Sequence, residues 1–256
     1  MRRLQLTVIL IASSLGMAHA AENNATVVGG LDFGFKKLRL EVGKDSNGEG
    51  GGSFHPSYVT INPNFALGYK SFYASLSYDK SISADPGIGS DNNGAAATLL
   101  DFSRIDTTLT FGYRLNQSFS IFAGYTKGAN EFTETSVNTV LVVKEINYTE
   151  KGPFAGVAYT STFGDKGTLG LSLGYAKLDG ELKIVTHGGP AKPDQISKGD
   201  NTGLSYSVTW SGPLTGSMNY RAGLKGTRYK MPAGPDNPQD ITERYTTFFL
   251  GLVNYF

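Results

Sequence analysis

The sequence predicts an all-β protein, a ten-stranded antiparallel up-and-down transmembrane β-barrel. Three observations lead to this fold class. Apolar and polar residues alternate over many short segments, and the connections between those segments alternate between short and long. No segment after residue 20 approaches the roughly 18 consecutive apolar residues of a membrane helix. The mean hydropathy of −0.20 agrees with a barrel, because the polar face of each strand lowers the average although the other face is apolar.

The alternation is clearest in the segment 169–175, where one face carries three leucines and a tyrosine and the other carries glycine, serine and glycine. The segments 103–115 and 204–214 repeat the pattern. A soluble secreted β-barrel or sandwich, the alternative, would place its large apolar residues inside and its charged residues outside. A second face of small residues and hydroxyls is instead typical of a narrow lumen, so the apolar face is expected to meet lipid.

The turn signals divide the chain into ten strands. Four connections are short, and five are longer and rich in glycine, aspartate, asparagine and proline, at 43–56, 84–101, 134–146, 186–201 and 231–241. This arrangement places both ends of the barrel domain on the side of the short turns. Strands are predicted near 26–42, 57–69, 72–83, 102–115, 119–133, 147–163, 167–185, 202–212, 217–230 and 242–256.

The first twenty residues have the features of a cleaved signal peptide. Arg2-Arg3 form a positive start, residues 4–15 form a mostly apolar core, and residues 18–20 read A-H-A, an A-x-A cleavage site. The apolar core is too short for a transmembrane anchor. We therefore expect an exported protein in which residues 1–20 are removed and residues 21–256 form one barrel domain.

Composition excludes several function classes. The leader carries two arginines, so its removal from a chain of 23 basic and 22 acidic residues gives the mature protein a net charge of −1. Without a basic excess, no nucleic-acid partner is expected. The chain has no cysteine, which excludes disulfide frameworks and thiolate metal sites. No cofactor and no metal site are expected.

Three strands carry the same Tyr-x-Lys motif, spaced one hairpin pair apart. A tyrosine places its ring among acyl chains and its hydroxyl among headgroups, while a lysine extends its ammonium toward lipid phosphates. The repeat therefore predicts a belt at the outer edge of the membrane, formed by Tyr78 with Lys80, Tyr125 with Lys127, and Tyr175 with Lys177.

The last strand alternates Phe248, Leu250 and Leu252 on one face, and the chain ends at Phe256. This ending resembles the C-terminal assembly signal of bacterial outer-membrane β-barrel proteins, in the small OmpA-like or porin-like class. The sequence departs from the signal at Asn254, where an aromatic residue usually stands. The resemblance covers the mature chain at the level of architecture. It implies an outer-membrane location, periplasmic short turns, lipid and lipopolysaccharide as surroundings, and the barrel-assembly machinery as a partner of the last strand.

Charged residues also fall on the lumen face of the predicted strands. Both signs occur in similar numbers, and an unpaired charge in a narrow lumen is costly, so opposite charges are expected to pair and fill the interior. Ten strands are closer to the eight that enclose only side chains than to the sixteen that leave a channel. A small water-filled passage is the alternative. The predicted lumen charges are Asp32, Lys36, Asp79, Arg104, Asp106, Arg114, Arg221, Lys225 and Glu243.

Catalysis is not expected. The mature chain has two histidines, His55 and His187, and neither lies in the Asp-x-His motif of omptin-like proteases. The run His55-Pro56-Ser57 resembles the His-x-Ser of outer-membrane lipid A deacylases, since alternate residues of a strand share a face. Those enzymes carry the pair late in the chain and without the intervening proline. A lipid-modifying enzyme therefore remains an alternative to a non-catalytic barrel.

Two outer connections contain apolar runs, residues 95–100 and 137–143. Contiguous exposed apolar surface usually marks a contact site, although the same residues could extend the strands above the membrane. The function predicted from the sequence is a structural or surface-interacting outer-membrane barrel with at most a narrow lumen. A porin-like passage for small solutes and a lipid-modifying enzyme are the alternatives.

Overall fold

The computed structural model describes residues 25–44, 52–85, 88–90, 96–138, 140–187, 194–235 and 239–256. The predicted signal peptide and parts of the predicted outer loops lie outside the described residues. No helix among the described residues is long and apolar enough to cross a membrane.

The predicted fold class is confirmed: ten long antiparallel strands form a closed barrel. Each long strand pairs with its neighbours along the chain, and the last strand pairs with the first from Tyr255–Val28 to Ile241–Val42. Two three-residue strands add to the sheet at one end. The strands are β1 (Thr26–Val42), β2 (Gly52–Phe54), β3 (Ser57–Tyr69), β4 (Phe72–Asp85), β5 (Ile88–Ser90), β6 (Ala96–Arg114), β7 (Phe119–Asn138), β8 (Val140–Thr162), β9 (Thr168–His187), β10 (Gln195–Thr215), β11 (Met218–Met231) and β12 (Ile241–Tyr255).

The outer surface of the barrel carries an apolar band. Alternate residues of each strand point outward, and every long strand contributes at least one large exposed apolar side chain. A continuous band of this kind would be unfavourable in water, so it is the surface that faces acyl chains. Its members include Leu31, Phe65, Leu76, Leu109, Ile121, Val157, Leu171, Val208, Leu224 and Leu250.

The predicted short turns lie together with both ends of the barrel domain at one end of the barrel, called here the turn end. Lys70 and Gly216 adopt left-handed backbone conformations, each with a φ of 54°, as tight turns require. The Asn116 side-chain oxygen accepts hydrogen bonds of 2.8 Å from the backbone N–H groups of both Ser118 and Phe119. Left-handed backbone conformations and the hydrogen bonds of Asn116 therefore stabilise the tight turns that connect strands at this end.

At the opposite end, the loop end, several predicted loops are shorter than expected because the strands continue. β7 runs to Asn138 and β8 begins at Val140, which replaces the predicted loop 134–146. β6 begins at Ala96 and β10 at Gln195, inside the predicted loops 84–101 and 186–201. The cause is a continuing interior: Phe102, Phe132 and Ile146 are buried. The apolar run 137–143 belongs to this hairpin, and most of the run 95–100 belongs to β6, although residue 95 lies outside the described part.

The orientation of the barrel can be tested with single cysteines, since the natural chain has none. Ser90→Cys, Asn138→Cys and Pro235→Cys lie at the loop end, and Asn116→Cys and Asp165→Cys lie at the turn end. On whole cells, a membrane-impermeant thiol reagent should label the first three and should reach the last two only after permeabilisation. Labelling of Asn116→Cys on intact cells would contradict periplasmic short turns.

Candidate functional site

The inside of the barrel consists of three layers stacked along its axis. An apolar cluster closes each end, and polar and charged side chains lie between them. The turn-end cluster consists of Val28, Ala66, Tyr73, Phe122, Ala158 and Val253. The loop-end cluster consists of Leu38, Leu40, Phe54, Tyr58, Phe102, Phe132, Ile146, Tyr148, Leu182, Met231, Ile241 and Tyr245.

The turn-end cluster is built from aromatic rings that pack on glycines. A Cβ atom at Gly112 would lie 1.9 Å from Cζ of Tyr73, and one at Gly156 would lie 2.4 Å from Cζ of Phe122. The Phe122 ring also packs against Phe154, with 6.1 Å between ring centroids. The small residues of the predicted lumen face therefore make room for inward-pointing rings.

The loop-end cluster contains a chain of aromatic contacts that joins β2, β3, β6 and β7. Ring centroids lie 4.7 Å apart for Tyr58 and Phe102, 5.0 Å for Phe102 and Phe132, and 5.6 Å for Phe54 and Phe132. These separations suit tilted aromatic pairs, which contribute stability beyond their buried area. Aromatic side chains therefore form a packed cluster inside this end of the barrel.

Arg104 is the centre of the charged layer between the two clusters. Its guanidinium lies 2.7 Å from Asp106, 2.9 Å from Glu150 and 3.1 Å from Glu243. It also donates to the Asn130 side-chain oxygen at 2.9 Å and contacts the Tyr245 hydroxyl. Because Arg104 is 5% exposed and its partners surround the fork of donors, the three carboxylates offset the cost of burying its charge.

Lysine–carboxylate pairs complete the charged layer. The Lys36 ammonium lies 2.8 Å from Asp79 and 3.5 Å from Asp106, which joins it to the Arg104 group. The Asn62 amide donates to Asp79 at 3.3 Å. Lys225 lines the same space. Charged residues from six different strands thus meet at one level of the barrel and connect those strands.

A separate ion pair lies among the polar side chains between the clusters. Arg221 donates from Nε to Asp32 Oδ1 at 2.6 Å, and Nη2 contacts the other carboxylate oxygen. The Asn64 amide donates to Asp32 at 3.2 Å. Arg221 is 1% exposed and Asp32 3%. This two-pronged geometry is the strongest form of arginine–carboxylate pair.

The charged layer borders a polar cavity of about 70 Å³. Its lining includes Lys36, Asp79, Arg104, Asp106 and Lys225. A cavity of this size holds several water molecules, which need polar partners of this kind. The interior therefore contains a polar cavity between two apolar clusters.

The structure brings most of the predicted lumen charges together and leaves one apart. Lys36, Asp79, Arg104, Asp106, Lys225 and Glu243 belong to the charged layer, Asp32 and Arg221 form their own pair, and Arg114 lies near Tyr73 of the turn-end cluster. Sequence reasoning missed Glu150, which is 3% exposed and bound to Arg104. Strand parity could have found it, because Glu150 shares a face with Ala158 and Thr160, which are both buried.

The predicted belt residues all lie on the outside of the barrel. Their side chains are exposed, and Lys177 pairs with Asp200 at 2.8 Å. Phe256 is 76% exposed, and its backbone N–H donates to the carbonyl of Val27 at 3.0 Å. The other predicted belt residues are Tyr78, Lys80, Tyr125, Lys127 and Tyr175.

The histidines lie at the loop end of the barrel. His55 is exposed and precedes β3, whereas Ser57 is half-buried at the first position of that strand. His187 lies at the end of β9 and is 3.3 Å from Glu145 on the neighbouring strand, with both side chains more than half exposed. These positions bring neither histidine into the charged layer of the lumen.

The solved structures that resemble this chain include several outer-membrane barrels. The outer membrane protease OmpT from Escherichia coli superposes with a TM-score of 0.71 at 11% identity, covering 90% of this chain and 97% of that chain. The translocator domain of the autotransporter NalP from Neisseria meningitidis has a TM-score of 0.44 at 10% identity and covers 88% of both chains. Ail, the attachment invasion locus protein of Yersinia pestis, has a TM-score of 0.33 at 13% identity, with 90% and 98% covered.

No protein-family model matches the chain, and no curated protein sequence matches it. The likeness to OmpT extends over nearly the whole of both chains, and at 11% identity it concerns the fold alone. The protein therefore has the fold of outer-membrane β-barrels, and its role must be argued from its own residues.

Proposed function

We propose that this protein is a closed, non-catalytic outer-membrane barrel with a structural or surface-interacting role. The observation that carries the proposal is the pair of apolar clusters at the two ends of the lumen. A conducting pore needs a continuous path lined by water and polar groups. Packed rings such as Phe102–Phe132 near one end and Phe122–Phe154 near the other interrupt that path.

The charged layer supports a structural role for the interior. Arg104 on β6 contacts carboxylates on β8 and β12, and Lys36 on β1 contacts β4 and β6. Such contacts cross the lumen and join strands that are not neighbours in the sheet. A network in which each charge has partners makes the barrel rigid.

The loop end supports a role at the cell surface. β7 continues from Tyr125, the outermost exposed aromatic residue of its described part, to Asn138. At ~3.4 Å per residue and a strand tilt of about 40°, this segment rises roughly 30 Å. Lys127 and Glu131 point outward along it. The barrel therefore extends beyond the lipid band and carries charged side chains on the described part of that extension, which suits contact with molecules at the surface.

The second candidate function is a narrow passage for small solutes, and the polar cavity between the clusters favours it. For this candidate to apply, both apolar clusters would have to open. An outer-membrane lipid-modifying enzyme is a weaker candidate. His55, its candidate base, is exposed, and Pro56 separates it from Ser57, which is half-buried at the first position of β3.

Liposome swelling tests the proposal against the porin-like alternative. Vesicles that contain the purified protein should swell in an isotonic solution of a small sugar no faster than vesicles without protein, because the clusters block the lumen. Vesicles with a sixteen-stranded porin serve as the positive control. Swelling at the rate of the porin vesicles would overturn the closed-barrel proposal.

A further inference from the structure

Three arginines lie side by side on the outside of the barrel. Arg244 of β12 pairs in register with Arg39 of β1 on one side and with Arg228 of β11 on the other. All three side chains point outward and are exposed. Neighbouring strands are about 4.8 Å apart, so the row spans roughly 10 Å. Like charges directly opposite each other on adjacent strands destabilise a sheet. A bound anion would offset the repulsion among the three arginines.

The row lies just beyond the lipid band on the same three strands. Four residues toward the turn end, Phe35, Phe248 and Leu224 form a parallel row of exposed apolar side chains. Between the two rows, exposed Lys37 lies 6.0 Å from the ring of Phe35. Four residues of strand span about 14 Å, which places the arginines beyond the apolar row, on the side where headgroups follow acyl chains.

Carboxylates of the protein only partly neutralise this row. Glu41 lies 2.5 Å from Arg39 and 3.8 Å from Arg244. Within the described part of the chain, no carboxylate lies within ion-pair distance of Arg228. Lys230 is matched by Asp240 at 2.7 Å, and this contact together with the Ala233 N–H lowers the pKa of Asp240.

The next two strands around the barrel show a different arrangement. On β9 and β10 the exposed lysines have one carboxylate each, at 2.8 to 3.0 Å. These pairs are Lys177–Asp200, Lys183–Asp194 and Lys198–Glu181. On these two strands each exposed lysine is thus matched by a carboxylate, which distinguishes them from the arginine row on β1, β11 and β12.

We infer that Arg39, Arg244 and Arg228 form a binding site for the phosphate groups of an outer-leaflet glycolipid, lipopolysaccharide. The guanidinium fork matches the geometry of phosphate oxygens and forms paired hydrogen bonds with them. A lipid phosphate at this level would place its acyl chains against the apolar row of Phe35, Phe248 and Leu224. The inference goes beyond the proposed function, because a conducting barrel would keep the same outer face.

The test measures binding of lipopolysaccharide to the purified full-length protein in detergent, with intact and enzymatically dephosphorylated lipopolysaccharide as probes. The triple variant Arg39→Gln, Arg228→Gln, Arg244→Gln should bind intact lipopolysaccharide at least about tenfold more weakly than the wild type, since each charge-assisted hydrogen bond is worth more than a neutral one. The wild type should lose a similar factor when the phosphates are removed. The control removes two paired cations outside the predicted Tyr-x-Lys belt, with Lys183→Gln and Lys198→Gln, and should bind nearly as the wild type does.

Equal binding by the triple variant and the wild type would overturn the inference, and so would an equal loss in the control. Inorganic phosphate alone serves as a third probe. If millimolar phosphate saturates the site and abolishes the preference for intact lipopolysaccharide, the ligand is free phosphate and the lipid assignment is wrong. Folding of each variant is checked by its heat-modifiable mobility in gels. Should the triple variant not fold, Arg244→Gln alone should weaken binding several-fold, and unchanged binding by it would equally overturn the inference.

Discussion

Asp32→Ala should lower the free energy of unfolding by about 3–5 kcal/mol. The substitution leaves the Arg221 guanidinium without the carboxylate that it contacts through two nitrogens, at a position that is 1% exposed. A buried charge without its partner keeps its full desolvation cost, which is why removal of one member of such a pair is so destabilising. Denaturant-induced unfolding of the protein in lipid vesicles measures the difference.

Two comparisons isolate the cause of that loss. Replacing both partners, with Asp32→Leu and Arg221→Met, should recover part of the lost stability, because no charge then stays buried. Glu181→Ala removes a carboxylate from the exposed pair with Lys198 and should cost less than about 1 kcal/mol. A loss for Glu181→Ala as large as that for Asp32→Ala would show that burial of the pair is not the cause.

Shortening both apolar clusters should convert the closed barrel into a channel. The variant Phe102→Ala, Phe132→Ala, Tyr73→Ala, Phe122→Ala removes two rings at each end and leaves the polar cavity between them. We expect measurable ion conductance in planar bilayers, together with a loss of stability, since each Phe→Ala change in a core costs about 3–5 kcal/mol. Gel mobility before and after heating identifies the folded fraction.

Removal of the charges alone should give a different result. The sequence suggested that paired charges block the lumen, so that Arg104→Ala, Asp106→Ala and Arg114→Ala together would open a water path. The structure adds an apolar cluster at each end, and Arg114 lies near one of them. This triple variant should therefore enlarge the cavity and lower stability without conducting. Steady channels in the triple variant would assign closure to the charges and not to the rings.

The sequence was sufficient for the architecture because alternation and turn chemistry are local signals. The segment 169–175 shows its two faces without any knowledge of its neighbours, and Asn116 marks a turn that its own side chain stabilises. Strand parity likewise predicted that the side chains of Asp32 and Arg221 both point into the lumen. It could not show that they meet, because their contact joins residues from opposite ends of the chain.

The interior was harder to predict for a physical reason. Phe122 and Phe132 point inward, although the lumen face had been expected to carry small, hydroxyl or charged residues. Aromatic residues occur on both faces of these strands, and which glycine accommodates which ring depends on register across the sheet. At the loop end, the inward-pointing Phe102, Phe132 and Ile146 explain why the strands continue beyond the predicted loop boundaries.

A planar-bilayer recording of the wild-type protein is the most direct test of the closed lumen. The protein should insert without producing steady current steps, because the clusters around Phe122 and Phe102 separate the polar cavity from both aqueous sides. The four-residue variant with shortened clusters provides the positive comparison under the same conditions. Large, steady channels in the wild type would contradict the account and favour a porin-like protein.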